Sequence, residues 1–177
     1  MKICIFCGAN ARLDPEVDRQ VKIIMDHFAK NGVELVYGGA GIGIMGALAT
    51  ELINKGGKVT GVIPQHLMKK EIAHGGLTHL HVVKDMHDRK KMMYEISDAF
   101  LIFPGGMGTM DELFEILTWK QLGLHQKPIA LFNINQYYDH LIKFVDHAVE
   151  KGLVKSSDRS LLFDSDNWLE IWDYFKK

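Results

Sequence analysis

Two glycine-rich segments of the sequence have the composition of loops that bind an anion. They are Gly38-Gly39-Ala40-Gly41-Ile42-Gly43-Ile44-Met45-Gly46 and Pro104-Gly105-Gly106-Met107-Gly108-Thr109. Each follows a short apolar run and precedes a helical pattern, which predicts a strand-to-helix turn. Glycine lets the backbone approach a phosphate closely, and a helix N-terminus offers unpaired N–H groups. Two such loops at one sheet edge favour a phosphorylated ligand over glycines that only make tight turns.

Charged side chains accompany these loops. Glu112 comes three residues after Thr109, where a carboxylate would repel a phosphate unless it serves another part of the ligand. Arg89 and Lys90 begin a predicted helix, although cations in a first turn oppose the helix dipole. The planar donor fork of arginine suits an anionic ligand. Glu112 and Arg89 are therefore candidate site residues; the alternatives are dipole complementarity for Glu112 and a solvated basic patch for Arg89.

Two common nucleotide-binding motifs fit the first loop poorly. Gly41-x-Gly43-x-x-Gly46 has the spacing of a dinucleotide fingerprint. That fingerprint also requires an acidic residue about 20 positions later, and Thr60-Gly61-Val62 offers none. A P-loop requires Lys-Ser/Thr where Ala47-Leu48 stands. Neither motif explains the loop.

The elements that must position these residues alternate between strand and helix along the chain. The predicted strands are Lys2–Cys7, Val33–Tyr37, Lys58–Ile63, His79–Val83, Ala99–Phe103, Pro128–Phe132 and Leu161–Phe163. The predicted helices are Pro15–Lys30, Met45–Asn54, Met86–Ile96, Met110–Leu122, Tyr137–Glu150 and Trp168–Phe175. The strands are apolar without alternation, as expected when helices cover both faces of a parallel sheet. This order predicts an α/β fold with a doubly wound parallel sheet.

Composition limits the class of function. The chain has 177 residues with 47% apolar and 24% charged residues, which is typical of one globular domain. Lys and Arg number 21 against 22 Asp and Glu, so nucleic acid and anionic membranes are not expected partners. The apolar N-terminal run is too short for a signal-peptide core, and two cysteines fit a reducing compartment. We therefore expect a cytoplasmic protein.

Metal and redox chemistry find little support in the sequence. Cys4 and Cys7 have the CxxC spacing, but on one strand they would point to opposite faces. His79 and His81 would share a face of a strand, and no third ligand matches them. We expect no metal site and no cofactor. In particular, no lysine is marked for a Schiff base with pyridoxal phosphate.

Several segments together resemble the LOG (Lonely Guy) family of cytokinin riboside 5′-monophosphate phosphoribohydrolases, long called lysine decarboxylases. The run from Pro104 to Glu112 matches the family signature PGGxGTxxE. Tyr37-Gly38-Gly39 with Gly43, Met45 and Gly46 is similar to the YGGGxxGLMG loop. Met86-His87-x-Arg89-Lys90 is similar to MHxRK, and Val62-Ile63-Pro64 with Glu71 to the VIP…E segment. The resemblance extends from about Met1 to Gly152.

The resemblance implies a Rossmann-like domain over residues 1–177 that binds a nucleoside monophosphate and forms a homodimer. The implied reaction cleaves the N-glycosidic bond and releases a free base and ribose 5-phosphate. Arg89 and Glu112 match the family's catalytic pair. The implied substrate-binding residues are Gly39, Gly43, Glu71, Lys90, Gly105, Gly106, Met107, Gly108, Thr109, Met110, Asp111 and Thr118.

Two other functions stay open at the level of sequence. One is a nucleosidase that accepts a broader range of purine or pyrimidine monophosphates. The other is a non-catalytic carrier of a nucleotide or of molybdenum cofactor, since related Rossmann-like proteins bind that cofactor. A carrier requires the glycine loops but not the pair of Arg89 and Glu112.

Overall fold

A computed structural model describes residues 1–9, 14–68 and 74–177 of the chain. It contains a seven-stranded parallel sheet formed by β1 (Lys2–Phe6), β2 (Glu34–Tyr37), β3 (Val59–Pro64), β4 (His79–Val83), β5 (Ala99–Ile102), β6 (Ile129–Phe132) and β7 (Leu162–Ser165). The helices are α1 (Pro15–Asn31), α2 (Gly43–Asn54), α3 (Met86–Ile96), α4 (Met107–Gln121), α5 (Asp139–Glu150), α6 (Ser156–Arg159) and α7 (Trp168–Phe175). A 3₁₀ turn (Ile134–Gln136) precedes α5.

The strand order is β4-β3-β2-β1-β5-β6-β7, and every adjacent pair is parallel. The chain builds outward from β1 in one direction through β4 and then in the other through β5 to β7. The helical connection after β1 therefore leads to one side of the sheet and the connection after β5 leads to the other. A crevice opens between the carboxyl ends of these two strands. The predicted doubly wound α/β fold is confirmed.

Two apolar layers hold the helices against the sheet. One layer packs buried residues of α1, α2 and α7, such as Phe28, Leu48 and Ile171, against one face. The other packs α3 and α4, through Met93 and Leu113, with partly buried residues of α5, against the opposite face. Burying one such side chain contributes roughly 1.5–3 kcal/mol. Cys4 and Cys7 lie in different layers as free thiols, as the strand alternation predicts.

Two expectations about the elements are wrong in detail. The helices after the glycine loops begin earlier than predicted, at Gly43 and Met107, because loop residues that include Gly46 and Gly108 lie within the first helical turn. The strand β4 is exposed along most of its length, with Leu80 37% and Val82 50% accessible, because it is the edge of the sheet. Within the described ranges, no helix has both the length and the apolar character needed to span a bilayer.

Candidate active site

A cavity of about 620 Å³ opens at the crevice between the carboxyl ends of β1 and β5. This is the edge at which open α/β sheets bind their ligands, and the volume lies in the ordinary range for a small-molecule site. Predicted site residues in its lining are Arg89, Gly105, Gly106, Gly108, Thr109, Asp111 and Glu112. These residues, which come from separate segments of the sequence, thus lie around one cavity.

The turn from Pro104 to Gly106 is fixed by three contacts around α4. The amide of Gly8 donates to the Pro104 carbonyl at 3.1 Å, and the Tyr137 hydroxyl donates to the Gly105 carbonyl at 2.8 Å. A Cβ at Gly105 would overlap the Thr109 hydroxyl, so only glycine lets this turn close. The first backbone bond of α4 runs from the Met110 amide to the Gly106 carbonyl. The N–H groups of the preceding residues in the first turn are therefore free to bind an anion.

Glu112 lies one turn into α4 and reaches the same cavity. Its side chain is only partly exposed. Burial raises the pKa of Glu112 to about 7, against the opposing effect of Arg89. A carboxyl group with a pKa near neutrality can exchange a proton at physiological pH. Glu112 is thus suited to act as a base or as a stabilising anion.

Arg89 reaches the cavity from the start of α3. Asp85 caps this helix, because its carboxylate accepts hydrogen bonds from the backbone amides of His87 and Asp88, each at 3.0 Å. The residue is 4% exposed, and its Nη2 donates to the Gly38 carbonyl at 3.0 Å. A Cβ on Gly38 would overlap that Nη2, so the first glycine loop makes room for the guanidinium. The Nε of Arg89 is buried and, among the described residues, finds no partner.

Arg89 and Glu112 face one cavity without touching. Within the described parts of the chain, no ion pair closer than 4.0 Å joins them. A bound molecule can therefore contact both the guanidinium and the carboxylate at once. Such an arrangement can hold an anion and stabilise a developing cation close by.

Other predicted site residues lie away from the cavity lining. Lys90 forms ion pairs with two carboxylates of α4, and Met107 is 89% exposed on the outer side of that helix. Met110 packs partly into the core, and Thr118 is exposed about 9 Å along α4 from Glu112. Gly39 and Gly43 shape the first loop with positive φ, and neither is part of the lining. Glu71 lies outside the described residues.

Sequence reasoning missed the segment that walls the cavity after β6. Asn135 has φ 51° and ψ 30°, and its side-chain amide nitrogen donates to the Asp14 carboxylate at 3.1 Å. Tyr137 adds the hydroxyl bond to Gly105. Left-handed backbone in residues other than glycine costs free energy and is frequent at functional sites, where asparagine tolerates it best. In the sequence, the available signal for this segment was an asparagine within three residues of the predicted strand Pro128–Phe132.

The thiol of Cys7 also lines the cavity, at the end of β1. Burial raises its pKa far above the usual range, and the nearby Glu112 carboxylate adds to that effect. The thiol therefore stays neutral and is a poor nucleophile. No group of three or more metal-ligating side chains occurs in residues 1–9, 14–68 and 74–177.

The fold and the site together define a doubly wound α/β protein with a cavity at its topological switch point, where the N-terminus of α4 contributes to the lining. A family model described as "Possible lysine decarboxylase" matches residues 45–175. A cytokinin riboside 5′-monophosphate phosphoribohydrolase of Rhodococcoides fascians is 45% identical over 159 residues, which cover 89% of this chain and 80% of the relative. One of Arabidopsis thaliana is 40% identical over 171 residues, 96% of this chain and 80% of the relative. The chain belongs to this family, the LOG family.

Solved structures with low sequence identity share the fold. The molybdenum cofactor carrier protein of Chlamydomonas reinhardtii has a TM-score of 0.75 at 18% identity, over 99% of this chain and 98% of that one. The molybdenum cofactor binding protein of Rippkaea orientalis has a TM-score of 0.71 at 17% identity, over 99% and 97%. At this identity the likeness extends to the fold alone.

Proposed function

We propose that this chain hydrolyses the N-glycosidic bond of a nucleoside 5′-monophosphate, with an N6-modified adenosine monophosphate as its substrate. The products are the free base and ribose 5-phosphate. The observation that carries the proposal is the placement of Glu112 and Arg89 in one cavity at the N-terminus of α4. The names of the relatives that are 38–45% identical support the same reaction.

The phosphate binds at the glycine turn in this proposal. The amides in the first turn of α4 and the buried Thr109 hydroxyl offer donors to a monoester dianion. This group does not react, so its binding energy serves to hold the ribose in a reactive orientation. The cavity has room for the attached ribose and base, and its apolar lining includes Val17, Ile44, Met45, Leu67, Met86 and Ile134.

The carboxylate of Glu112 supports the chemical step. As the bond from C1′ to the base nitrogen breaks, its electron pair leaves with the base and positive charge grows on the ribose, as in glycoside hydrolysis. An anion close to C1′ stabilises that charge. The oxygen of a water molecule then adds to C1′, and Glu112, whose pKa is about 7, accepts the proton that the water loses. The departing base nitrogen takes up a proton from solvent and becomes the free base, and Glu112 returns its proton to solvent.

Arg89 supplies the fixed positive charge of the site. Its Nη2 donates to the Gly38 carbonyl, and its Nη1 makes only a long contact of 3.7 Å with the Met86 sulfur, which leaves donors of Nη1 for phosphate or ribose oxygens. The same charge limits how far burial raises the pKa of Glu112.

A substrate screen tests the function. The purified protein is incubated with AMP, N6-modified AMP, and the other purine and pyrimidine monophosphates, with each nucleoside as a control, and base release is followed by chromatography. We expect release from monophosphates only, with N6-modified AMP preferred. Comparable release from all monophosphates would instead establish the broader nucleosidase, and release from none would contradict the proposal.

Two other functions find less support in the site. A carrier of molybdenum cofactor has the same fold, but it does not require a carboxyl group with a raised pKa facing a buried arginine. A lysine decarboxylase would bind pyridoxal phosphate through a lysine. The described residues that line the cavity include no lysine. The hydrolase therefore explains more of the geometry.

The raised pKa of Glu112 predicts the pH dependence of the reaction. Glu112 acts as an anion, so kcat/KM is expected to rise tenfold per pH unit below about pH 7 and to level off above it. A glutamate with the ordinary pKa of 4.5 would give the same rise of kcat/KM with its midpoint near pH 4.5. Initial rates between pH 5 and pH 9 measure the midpoint. A flat profile between pH 5 and pH 8 would rule out this role of Glu112.

We also propose that the protein acts as a cytoplasmic homodimer. On the outer side of α4, Met107, Phe114 and the following Leu122 are 89%, 40% and 67% exposed. A row of apolar side chains of this kind is unusual on a monomer surface and suits a second copy of the chain. Sedimentation equilibrium should give about twice the chain mass of 20.1 kDa. A single-chain mass at micromolar concentration would contradict the dimer.

A further inference from the structure

The side chain of Lys90 joins two helices beside the cavity instead of entering it. Its Nζ lies 3.0 Å from Asp111 Oδ2 and 3.1 Å from Glu115 Oε1, and the side chain is 11% exposed. Lys90 is part of α3, whereas both carboxylates belong to α4. A single ammonium group thus ties the start of α3 to the second and third turns of α4.

These two carboxylates have no obvious place at a phosphate site. Asp111 and Glu115 are four residues apart on one helix face, where like charges repel each other. Together with Glu112 they place three acidic groups within the first nine residues of the helix that is proposed to bind a dianion. Asp111 itself lines the cavity. A cation held between Asp111 and Glu115 offsets their charge at the point where the substrate approaches.

We propose that Lys90 is a positioning residue that neutralises Asp111 and Glu115 and locks α4 against α3, and that it does not bind the substrate. This inference rests on the proposed function, and it differs from the substrate contact that the family resemblance implies for the same residue. Lys90 acts through α4: it keeps the anion-binding turn accessible to a monoester and keeps Glu112 ionisable near neutral pH.

The charges around Glu112 give the sign of the effect. The ionisable groups that face it are Arg89 and Lys90 from α3, Asp111 and Glu115 from α4, and the neutral thiols of Cys4 and Cys7 from the β1 side. The two cations lower the pKa of Glu112, whereas the two carboxylates raise it. Removing the Lys90 charge leaves Asp111 and Glu115 uncompensated, so the pKa of Glu112 rises further. Removing Glu115 acts in the opposite direction.

The test compares Lys90→Met with Lys91→Met, which removes the same charge from an exposed position of the same helix. For Lys90→Met we expect the midpoint of the kcat/KM profile to move up by about half to one pH unit. For Lys91→Met we expect no displacement. The double variant Lys90→Met/Glu115→Gln should return the midpoint toward the wild-type value, because the charge that Lys90 offsets is then also absent.

Two results would overturn the proposal. One is an unchanged midpoint with a KM for monophosphates raised tenfold or more, which would make Lys90 a substrate contact. The other is a double variant in which the midpoint of the kcat/KM profile is displaced as far as it is in Lys90→Met. If Lys90→Met does not fold, Glu115→Gln alone provides the test, since it should lower the midpoint, and an unchanged or raised midpoint would contradict the proposal.

A readout without turnover separates this inference from the proposed function. The Glu112 carboxyl carbon can be titrated by ¹³C NMR in the wild type and in Lys90→Met, with Glu112→Gln used to assign its signal. A raised pKa in Lys90→Met would support the role of Lys90 even if no nucleotide proved to be a substrate. An equal pKa in both proteins would contradict it even if base release were confirmed.

Discussion

Replacing Glu112 by glutamine should lower kcat for base release by about 10²–10³-fold while AMP still binds. Glutamine keeps the size of the side chain but can neither accept a proton nor stabilise a cation at C1′. The binding energy of the phosphate comes from the first turn of α4 and is not changed. Single-turnover assays and calorimetric titration with AMP measure the two quantities separately.

The same variant should be more stable than the wild type at high pH. The pKa of Glu112 is raised in the folded protein from 4.5 to about 7, so its ionisation disfavours the folded state as pH rises through this interval. The neutral glutamine avoids that loss, which we expect to be worth about 1–3 kcal/mol at pH 8 and little at pH 4. Thermal unfolding at both pH values checks this.

The matched control for this variant is Glu150→Gln on α5, at a side chain that is 74% exposed. It should change neither turnover nor the pH dependence of stability. A folded Glu112→Gln protein with wild-type kcat would contradict the proposed role of Glu112 in the chemical step. A variant that loses turnover only because it unfolds is detected by the same thermal scans.

Replacing Arg89 by alanine should lower kcat/KM by about 10²–10³-fold, through both weaker binding and slower chemistry. Arg89→Lys should recover little of this, because an ammonium lacks the fork that binds the Gly38 carbonyl and a ligand oxygen together. The measurement is kcat/KM together with KM for AMP, and a near-wild-type Arg89→Lys would contradict the requirement for a guanidinium.

Gly38→Ala tests the position of the guanidinium without removing its charge. The added methyl group would overlap Nη2 of Arg89, so the guanidinium must move. We expect a loss of kcat/KM of at least about tenfold with a folded protein. Gly75→Ala is the matched control, since a Cβ there meets no atom of the described residues within 4 Å. Equal activity of both variants would show that the exact position of Arg89 is unimportant.

The sequence predicted most of the fold because its strands are short apolar runs that glycine and proline interrupt. The turn from Pro104 to Gly106 and Glu112 are neighbours in the chain, and the local pattern was enough to place them together at the cavity. The contacts from Asn135 to Asp14 and from Tyr137 to Gly105 join residues 121 and 32 positions apart, and no local pattern reveals them. They depend on which strand lies next to β5.

The sequence shows where charged residues lie in the chain, but it does not show which group each of their side chains contacts. Arg89 and Lys90 are adjacent in the chain, yet Arg89 is directed toward the cavity and Lys90 toward the carboxylates of α4. Successive helical residues point about 100° apart, so only one of the pair faces the ligand site. The early start of α4 at Met107 likewise places Met107 on the outer side of the helix, although it belongs to the glycine loop.

The most direct test of the site is a crystal structure of the Glu112→Gln variant with AMP. The phosphate should accept hydrogen bonds from the amides between Gly106 and Thr109. C1′ of the ribose should lie within about 4 Å of the residue-112 side chain, with the Arg89 guanidinium on a ribose or phosphate oxygen. AMP bound outside this cavity, or with C1′ turned away from residue 112, would contradict the account.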